Sequence, residues 1–294
     1  MKKVKIAVLS DIHANIVALE EVLKDAKEQN VDEYIVLGDV ITDLPFTNET
    51  IDKVKELTPY VIKGNREEYL LTYERTKEDE MWKTMQSNSV ICYYKHLSEQ
   101  NREYIRNLPD NLSLEFEGVK IKAVHGSPYE ISELLYFNTP QMDRVFKELE
   151  EDILVYGHNH KVAEHQTRFG KTVAQVGVVG MLNKIGKAQY TILECKNTAV
   201  EVQTRDISYN KEELKRRIQL RGGVYPEARI WQNLCYYSVV SGEDIRTAFC
   251  RQAKKEMLQK YDGKYPERID THFDSFDDDV YLKVANQFEK YFLL

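Results

Sequence analysis

Seven side chains that could hold metal ions occur in five short blocks of this sequence. They are two carboxylates, one amide and four imidazoles, namely Asp11, His13, Asp39, Asn65, His125, His158 and His160. Each block directly follows an apolar run that is typical of a β-strand. This mixture of oxygen and nitrogen ligands suits divalent first-row metals, and strand ends could bring the blocks together at one open site. The pattern predicts a two-metal centre that hydrolyses its substrate.

The spacing inside two of the blocks predicts chelation. Residues two apart in extended backbone point to the same side, so Asp11 and His13 could bind one ion together. His158 and His160 repeat this spacing. Asp39 stands alone, but the two oxygens of its carboxylate would allow it to bridge both ions.

The elements that must position the first blocks alternate between strands and helices. Apolar runs predict strands at 4–9, 33–37 and 59–62, and helical periodicity predicts helices at about 16–29 and 48–57. Such alternation is typical of parallel strands joined by crossover helices. Functional loops in these folds lie at the carboxyl ends of the strands.

The rest of the chain divides into three parts. Residues 67–107 are helical in pattern, and we interpret them as an insertion beside the site that could form a lid. Strands are then predicted at 112–117, 119–125, 152–156, 161–169, 171–176, 188–194 and 198–204, with a helix near 140–150. Helices alone follow, at roughly 210–220, 226–240, 243–260 and 277–292. We therefore predict a catalytic domain over residues 1–205 and a C-terminal helical appendage over residues 206–294.

Composition excludes several classes of function. A net charge of −7 argues against sequence-independent binding of nucleic acid, which needs a basic stripe, but not against an anionic substrate. The four cysteines show no CxxC spacing, so neither a thiolate metal site nor a disulfide framework is expected. Because no apolar stretch is long enough for a membrane span or a signal peptide, we predict a cytoplasmic protein. The oligomeric state is left open.

The five blocks, in their order, resemble the motif series of the calcineurin-like metallophosphoesterase family over about residues 4–205: Asp-x-His, Gly-Asp, Gly-Asn, His-Gly and Gly-His-x-His. The resemblance implies an α/β fold, a four-layer α/β/β/α sandwich with the metals at the strand ends between two sheets. It also implies that one ion is held by Asp11, His13 and His160, that Asp39 bridges, and that the second ion is held by Asn65, His125 and His158.

The same resemblance implies the chemistry. Two divalent ions about 4 Å apart lower the pKa of a shared water, so that a metal-bridging hydroxide can attack phosphorus at neutral pH. Mixed nitrogen and oxygen ligation suits manganese, iron, cobalt, nickel or zinc, and we favour manganese. Magnesium fits imidazole ligands poorly.

One position departs from the family pattern. Many members have a histidine after the metal-binding asparagine, and it protonates the leaving group, whereas this chain has Arg66. A guanidinium stays protonated at neutral pH, but it can bind phosphate oxygens with two donors and stabilise an anionic leaving group. We therefore assign Arg66 and Asp39 as catalytic, and Arg66 with Asn65 as substrate-binding. The alternative for Arg66 is a surface ion pair with Glu67 or a later carboxylate.

A leaving group that departs unprotonated favours a nucleotide polyphosphate. Together with the C-terminal helices, this resembles bacterial enzymes that cleave dinucleoside polyphosphates such as diadenosine tetraphosphate. The alternatives are a general or cyclic-nucleotide phosphodiesterase, a phosphoprotein phosphatase, and a non-catalytic scaffold on the same fold. The phosphatase is weakened by Arg66, because it must release an alkoxide, and the scaffold by the seven intact ligand positions.

Other motifs carry weaker predictions. Tyr69, Tyr73, Tyr93, Tyr94, Tyr129 and Tyr136 could stack a base, but packing is the stronger interpretation. We interpret His96, His165 and His272 as structural. A glycine-proline turn common in the family is replaced by Thr42-Asp43-Leu44-Pro45. The glycines at 177 and 180 keep the family spacing, which predicts a tight backbone in that segment.

Overall fold

The computed structural model describes residues 3–181, 187–264 and 276–292. Its strands are β1 (Val4–Leu9), β2 (Glu33–Val36), β3 (Asn111–Phe116), β4 (Val119–Val124), β5 (Ile153–Tyr156), β6 (Glu164–Arg168), β7 (Lys171–Gln175), β8 (Lys187–Lys196) and β9 (Ala199–Ser208). Its helices are α1 (Ile16–Glu28), α2 (Thr47–Leu57), α3 (Asn65–Thr76), α4 (Asn88–His96), α5 (Glu99–Arg106), α6 (Pro140–Glu148), α7 (Lys211–Leu220), α8 (Arg229–Ser241), α9 (Ile245–Lys260) and α10 (Asp278–Gln287). Three short 3-10 helices span Glu80–Trp82, Pro226–Ala228 and Glu289–Tyr291.

The strands form two mixed sheets. The first has the order β2-β1-β8-β9, in which β1 runs parallel to β2 and antiparallel to β8. The second has the order β3-β4-β5-β7-β6, in which the central strands β4, β5 and β7 are parallel. Four of the ligand blocks therefore lie in the loops at the carboxyl ends of the parallel strands β1, β2, β4 and β5.

Three apolar layers hold the sheets and helices together. One layer joins the facing sides of the sheets, where Ile6 and Ile35 pack with Ile121 and Val155. The outer face of the first sheet packs on α1 and α2, and the outer face of the second packs on α6. The predicted four-layer α/β/β/α sandwich is confirmed.

Two predicted strands differ from the structure. The strand predicted at 59–62 is wrong, because only Val61 makes a bridge, to Val36. Pro59 has no N–H to donate, and the N–H of Lys63 bonds Pro109 outside the sheet. The strand predicted at 161–169 is shorter than expected and corresponds to β6.

The predicted insertion contains α3, α4 and α5, and the predicted appendage contains α7 to α10. The insertion starts two residues early, since Asn65 and Arg66 form the first turn of α3. The 3-10 helix Pro226–Ala228 packs against α4, so the two helical segments touch. The boundary at residue 205 stays a prediction. Within residues 3–181, 187–264 and 276–292, no helix combines the length and apolarity that crossing a membrane would need.

Candidate metal centre

The ligand blocks lie in loops whose backbone is left-handed rather than extended. Positive φ angles occur at Asp11 (55°), His13 (48°), Asp39 (50°), His158 (67°) and His160 (52°). The explanation predicted for the Asp-x-His spacing, extended backbone, is therefore wrong. The side chains converge because the chain turns sharply after each strand. Hydrogen bonds from the N–H groups of residues 11 and 13 to the carbonyls of residues 38 and 39, 3.2 and 2.8 Å long, join the first two loops.

Two glycines allow these loops to approach each other. A Cβ added to Gly64 would lie 2.2 Å from Oδ1 of Asp39. A Cβ added to Gly157 would lie 1.9 Å from Oγ of Ser10 and 2.7 Å from Oδ2 of Asp11. The glycine that precedes Asn65 and the one that precedes His158 are therefore required by close contact with carboxylate-bearing loops.

The structure brings all seven predicted ligands together. Possible ligand atoms of Asp11, His13, Asp39 and His160 lie within 4.8 Å of one another, and so do those of Asp39, His125 and His158. Asp39 belongs to both groups, as a bridging carboxylate would. The remaining ligand is Asn65, whose Oδ1 lies 3.0 Å from Nε2 of His125.

Contacts behind three of the imidazoles determine which nitrogen faces the site. Nδ1 of His125 lies 2.6 Å from the carbonyl oxygen of Leu37, and Nε2 of His158 lies 3.0 Å from that of Ser132. Nδ1 of His13 lies 2.9 Å from a carboxylate oxygen of Asp43. Because the nitrogen that faces an acceptor carries the proton, the opposite nitrogen keeps its lone pair for a metal. The donor set and its supporting contacts fit a pair of divalent cations.

The buried site shifts the pKa values of two of its histidines in opposite directions. Burial works against the charged form of His13, but the carboxylates of Asp43, Asp11 and Asp39 outweigh it and raise the pKa of His13 to about 9. Burial and the nearby His125 lower the pKa of His158 to about 4. Such perturbed groups in one cluster are typical of functional sites.

Glu67 binds the backbone of the loop that carries Asp39. Its Oε2 accepts hydrogen bonds from the backbone N–H groups of Asp39 (2.9 Å) and Gly64 (2.8 Å). Its Oε1 accepts from those of Val40 (2.9 Å) and Ile41 (3.3 Å). One buried side chain therefore holds both the Gly-Asp and the Gly-Asn loops in place.

The sequence analysis did not identify Asp43 as a residue of the site. Its buried carboxylate lies 2.9 Å from His13, accepts a 2.7 Å hydrogen bond from Nε1 of Trp231, and faces Arg66 at 3.5 Å and Arg246 at 3.4 Å. Trp231 and Arg246 lie 188 and 203 residues further along the chain, so no local spacing could have revealed them. The unusual turn at residues 42–45 was the only signal.

Arg66 does not form the predicted alternative, an ion pair with Glu67. Its guanidinium faces Asp43 instead, with Nε 4.0 Å from Asp39. That Nε is buried and has no hydrogen-bond partner within the described ranges 3–181, 187–264 and 276–292. A buried guanidinium with a free donor beside the candidate ligands could bind an anion there.

Comparison with known proteins agrees with this geometry. Residues 4–198 match the model of the calcineurin-like phosphoesterase superfamily domain, which covers more than half of the 294 residues. The chain belongs to this superfamily. The match includes all five ligand blocks and Arg66, and it ends before the C-terminal helices.

Three relatives extend the comparison. An uncharacterized protein of Methanocaldococcus jannaschii is 25% identical over 217 residues, which cover 69% of this chain and 87% of that protein. A metallophosphoesterase from Sphaerobacter thermophilus is 23% identical, with a TM-score of 0.64 over 82% of this chain and 99% of its own. A hypothetical protein from Pyrococcus horikoshii is 20% identical, with a TM-score of 0.63 over 78% of this chain and 97% of its own. The two solved structures show the same fold.

Two cavities in this protein meet at the candidate ligands. One, of about 260 Å³, is lined by Tyr69, Tyr93 and Trp231, and we call it the aromatic cavity. The other, of about 660 Å³, is lined by Tyr136 and Arg246, and we call it the Arg246 cavity. Both reach Asn65, Arg66 and His158. Candidate ligands therefore line both cavities.

The predicted tyrosines divide between packing and the cavities. Tyr73 and Tyr94 pack edge to face at 5.3 Å, and the buried Tyr93 packs on Tyr225 with ring centroids 6.2 Å apart, which confirms the packing interpretation for these three. Tyr69 and Tyr136 line the cavities beside the candidate ligands, and Tyr129 is exposed under Arg144 at 4.1 Å.

Of the other predicted histidines, His96 and His165 lie outside the seven-residue cluster. His96 stacks on Tyr225 with ring centroids 4.0 Å apart, and His165 is an exposed residue of β6. His272 lies outside the described residues. Possible ligand atoms of Cys92, His96 and Glu227 also lie within 4.8 Å of one another. Burial and Glu227 raise the pKa of the Cys92 thiol to about 12, which disfavours a thiolate ligand, and no disulfide joins the four cysteines, all of which lie in the described residues.

Proposed function

We propose that this protein is a hydrolase that uses two divalent metal ions to cleave a phosphoanhydride bond of a nucleotide polyphosphate, such as a diadenosine polyphosphate. One observation carries the proposal. Asp39 belongs to both groups of candidate ligands, so the seven residues can hold two ions that share one carboxylate. Superfamily membership supports hydrolysis of a phosphoester or phosphoanhydride.

The chain's own residues would divide the work. Asp11, His13 and His160 would hold one ion, and Asn65, His125 and His158 the other, with manganese the favoured metal. Such a pair, when bound, supplies a hydroxide at neutral pH to attack phosphorus, and positive charge that offsets the charge developing on the phosphate oxygens.

Arg66 supports an anhydride as the bond that is cleaved. Burial disfavours its charge, but Asp43 and Asp39 outweigh this and raise the pKa of Arg66 above its usual range. It therefore cannot give a proton to an alkoxide, whereas it can stabilise a phosphate that leaves as an anion. A phosphoprotein phosphatase, which must release an alkoxide, is correspondingly disfavoured.

The two cavities support a substrate with groups on both sides of the scissile phosphate. The aromatic cavity offers Tyr69 and Trp231 as surfaces for a base, since stacking on aromatic rings is tolerant of base identity. The Arg246 cavity offers room for a leaving group. The same arrangement favours a phosphodiesterase as the second candidate, because a diester also extends on both sides of its phosphorus.

A substrate panel on manganese-reconstituted protein tests the proposal. Initial rates are compared for diadenosine tetraphosphate, a cyclic nucleotide, bis(p-nitrophenyl) phosphate, p-nitrophenyl phosphate and a phosphopeptide. The dinucleotide is expected to give the highest kcat/KM. A higher value for the cyclic nucleotide would establish the phosphodiesterase instead.

Variants separate the leaving-group argument from metal binding. Asp11→Asn should abolish activity on every substrate. Arg66→Ala should lower kcat/KM by roughly 100-fold on the dinucleotide, the effect of losing a charge-assisted contact, and much less on the nitrophenyl esters, whose leaving group is already stable as an anion. Equal losses on both substrates would contradict the role proposed for Arg66.

A further inference from the structure

Arg246 reaches the candidate metal centre from the C-terminal helices. It lies in the first turn of α9, and its side chain is only 16% exposed. Nη1 lies 3.4 Å from Asp43, and Nη2 lies 3.4 Å from Nδ1 of His160, one of the seven candidate ligands. It also lines the same cavity as Asp39 and Arg66. A part of the chain beyond the family match therefore supplies a guanidinium to this site.

The carboxylate that Arg246 faces is already shared. Oδ2 of Asp43 also faces Arg66 at 3.5 Å and Nδ1 of His13 at 2.9 Å, and Oδ1 accepts from Trp231. A guanidinium has five N–H donors, and one carboxylate cannot satisfy two guanidiniums and an imidazole. Both arginines therefore retain donors for a further anion.

We propose that Arg246 is a specificity-determining residue that, together with Arg66, binds the phosphate next to the scissile one, so that the site selects substrates with at least two linked phosphates. The inference rests on the proposed function and deepens it. The geometry that carries it is the placement of two guanidiniums around Asp43, on one cavity that contains Asp39. A substrate with a single phosphorus atom has no group for Arg246 to bind.

Binding measurements test this without turnover. Manganese-loaded wild type, Arg246→Ala and Arg246→Lys are titrated calorimetrically with methylenediphosphonate, which has two linked phosphorus groups and is not hydrolysed, and with orthophosphate. Arg246→Ala should weaken diphosphonate binding by about 10- to 100-fold, the effect of losing charge-assisted hydrogen bonds, and orthophosphate binding by less than about 3-fold. Arg246→Lys should fall between wild type and Arg246→Ala, because it keeps the charge and loses the two-armed contact.

Arg251→Ala is the matched control, since Arg251 is an exposed arginine of the same helix. It should bind both anions like wild type. Metal stoichiometry and thermal unfolding are measured for every variant, so that a variant that is misfolded or metal-depleted is recognised. If Arg246→Ala is misfolded or metal-depleted, Arg246→Lys is compared with wild type instead.

Kinetics distinguish failure of this inference from failure of the proposed function. Arg246→Ala should lower kcat/KM on diadenosine tetraphosphate at least 10-fold more than on bis(p-nitrophenyl) phosphate. Equal losses on the two substrates, or unchanged diphosphonate binding, would overturn the role of Arg246 while leaving the enzyme a hydrolase. A metal-loaded wild type that cleaves neither substrate would instead overturn the proposed function.

Discussion

Replacement of Glu67 by glutamine exchanges one carboxylate oxygen for an NH₂ group between the two loops that Glu67 joins. The carboxylate accepts four backbone hydrogen bonds, two at each oxygen, from residues 39, 40, 41 and 64. Glutamine has the same shape but only one acceptor oxygen. Whichever way its amide is turned, two buried N–H groups face an NH₂ group and lose their acceptor.

The expected loss of stability follows from that count. Each buried donor left without an acceptor costs about 1–3 kcal/mol, so two cost about 2–6 kcal/mol. The substitution also removes a buried charge, and burial together with the charge of Asp39 raises the pKa of Glu67, which shows that this charge is held at a cost. We therefore expect the lower half of the range, about 2–4 kcal/mol. The bridging Asp39 is held less firmly, which should weaken metal binding by about 10- to 100-fold.

Urea unfolding of metal-free protein measures the first quantity, and calorimetric titration with manganese measures the second. Glu68→Gln is the control, because Glu68 is adjacent, partly exposed, and paired with Arg75 and Lys63 at the surface. It should change the free energy of unfolding by less than about 1 kcal/mol. If Glu67→Gln matched wild type in both measurements, the four amides would not depend on the carboxylate, and the reasoning would be refuted.

Two further predictions concern the loops and the insertion. Gly64→Ala should abolish metal binding and activity, because the added Cβ would lie 2.2 Å from Oδ1 of Asp39; manganese titration showing normal stoichiometry would contradict this. Glu74 is hydrogen-bonded to Arg106 and Tyr94, and these contacts lower its pKa from 4.5 to about 2 despite burial. Because the folded-state pKa is depressed, the ion pair should stabilise the fold above pH 4.5 and lose this effect as the pH falls toward 2. Glu74→Gln should therefore cost about 1 kcal/mol at pH 7, after allowance for solvent screening, and nothing near pH 2, as measured by urea unfolding across pH.

The ligand blocks could be predicted because each is local in sequence. The apolar runs correctly place the strands before four of the five blocks, whereas the run before Asn65 forms only a bridge at Val61. The backbone conformation of the turns could not be predicted in this way. Asp11 and His13 converge through left-handed residues, which the alternation rule for strands does not describe. The sequence therefore identified the residues that converge, but the backbone conformation predicted for them was wrong.

The supporting contacts could not be predicted because they join distant segments. Asp43 contacts Trp231 across 188 residues, and no period or motif connects the two. The four amide partners of Glu67 depend on how the loops after β2 and before α3 are packed. Arg66 likewise contacts Asp43 rather than Glu67, the alternative partner. The carboxylate of Glu67 is instead occupied by the backbone groups that it binds.

The contacts of Asp43 extend beyond the part of the chain that the family model matches. The family match ends at residue 198 and covers every candidate metal ligand. Trp231 and Arg246 lie beyond it, yet both contact Asp43, which itself faces His13. A change in the C-terminal helices would thus reach the candidate metal centre through one carboxylate.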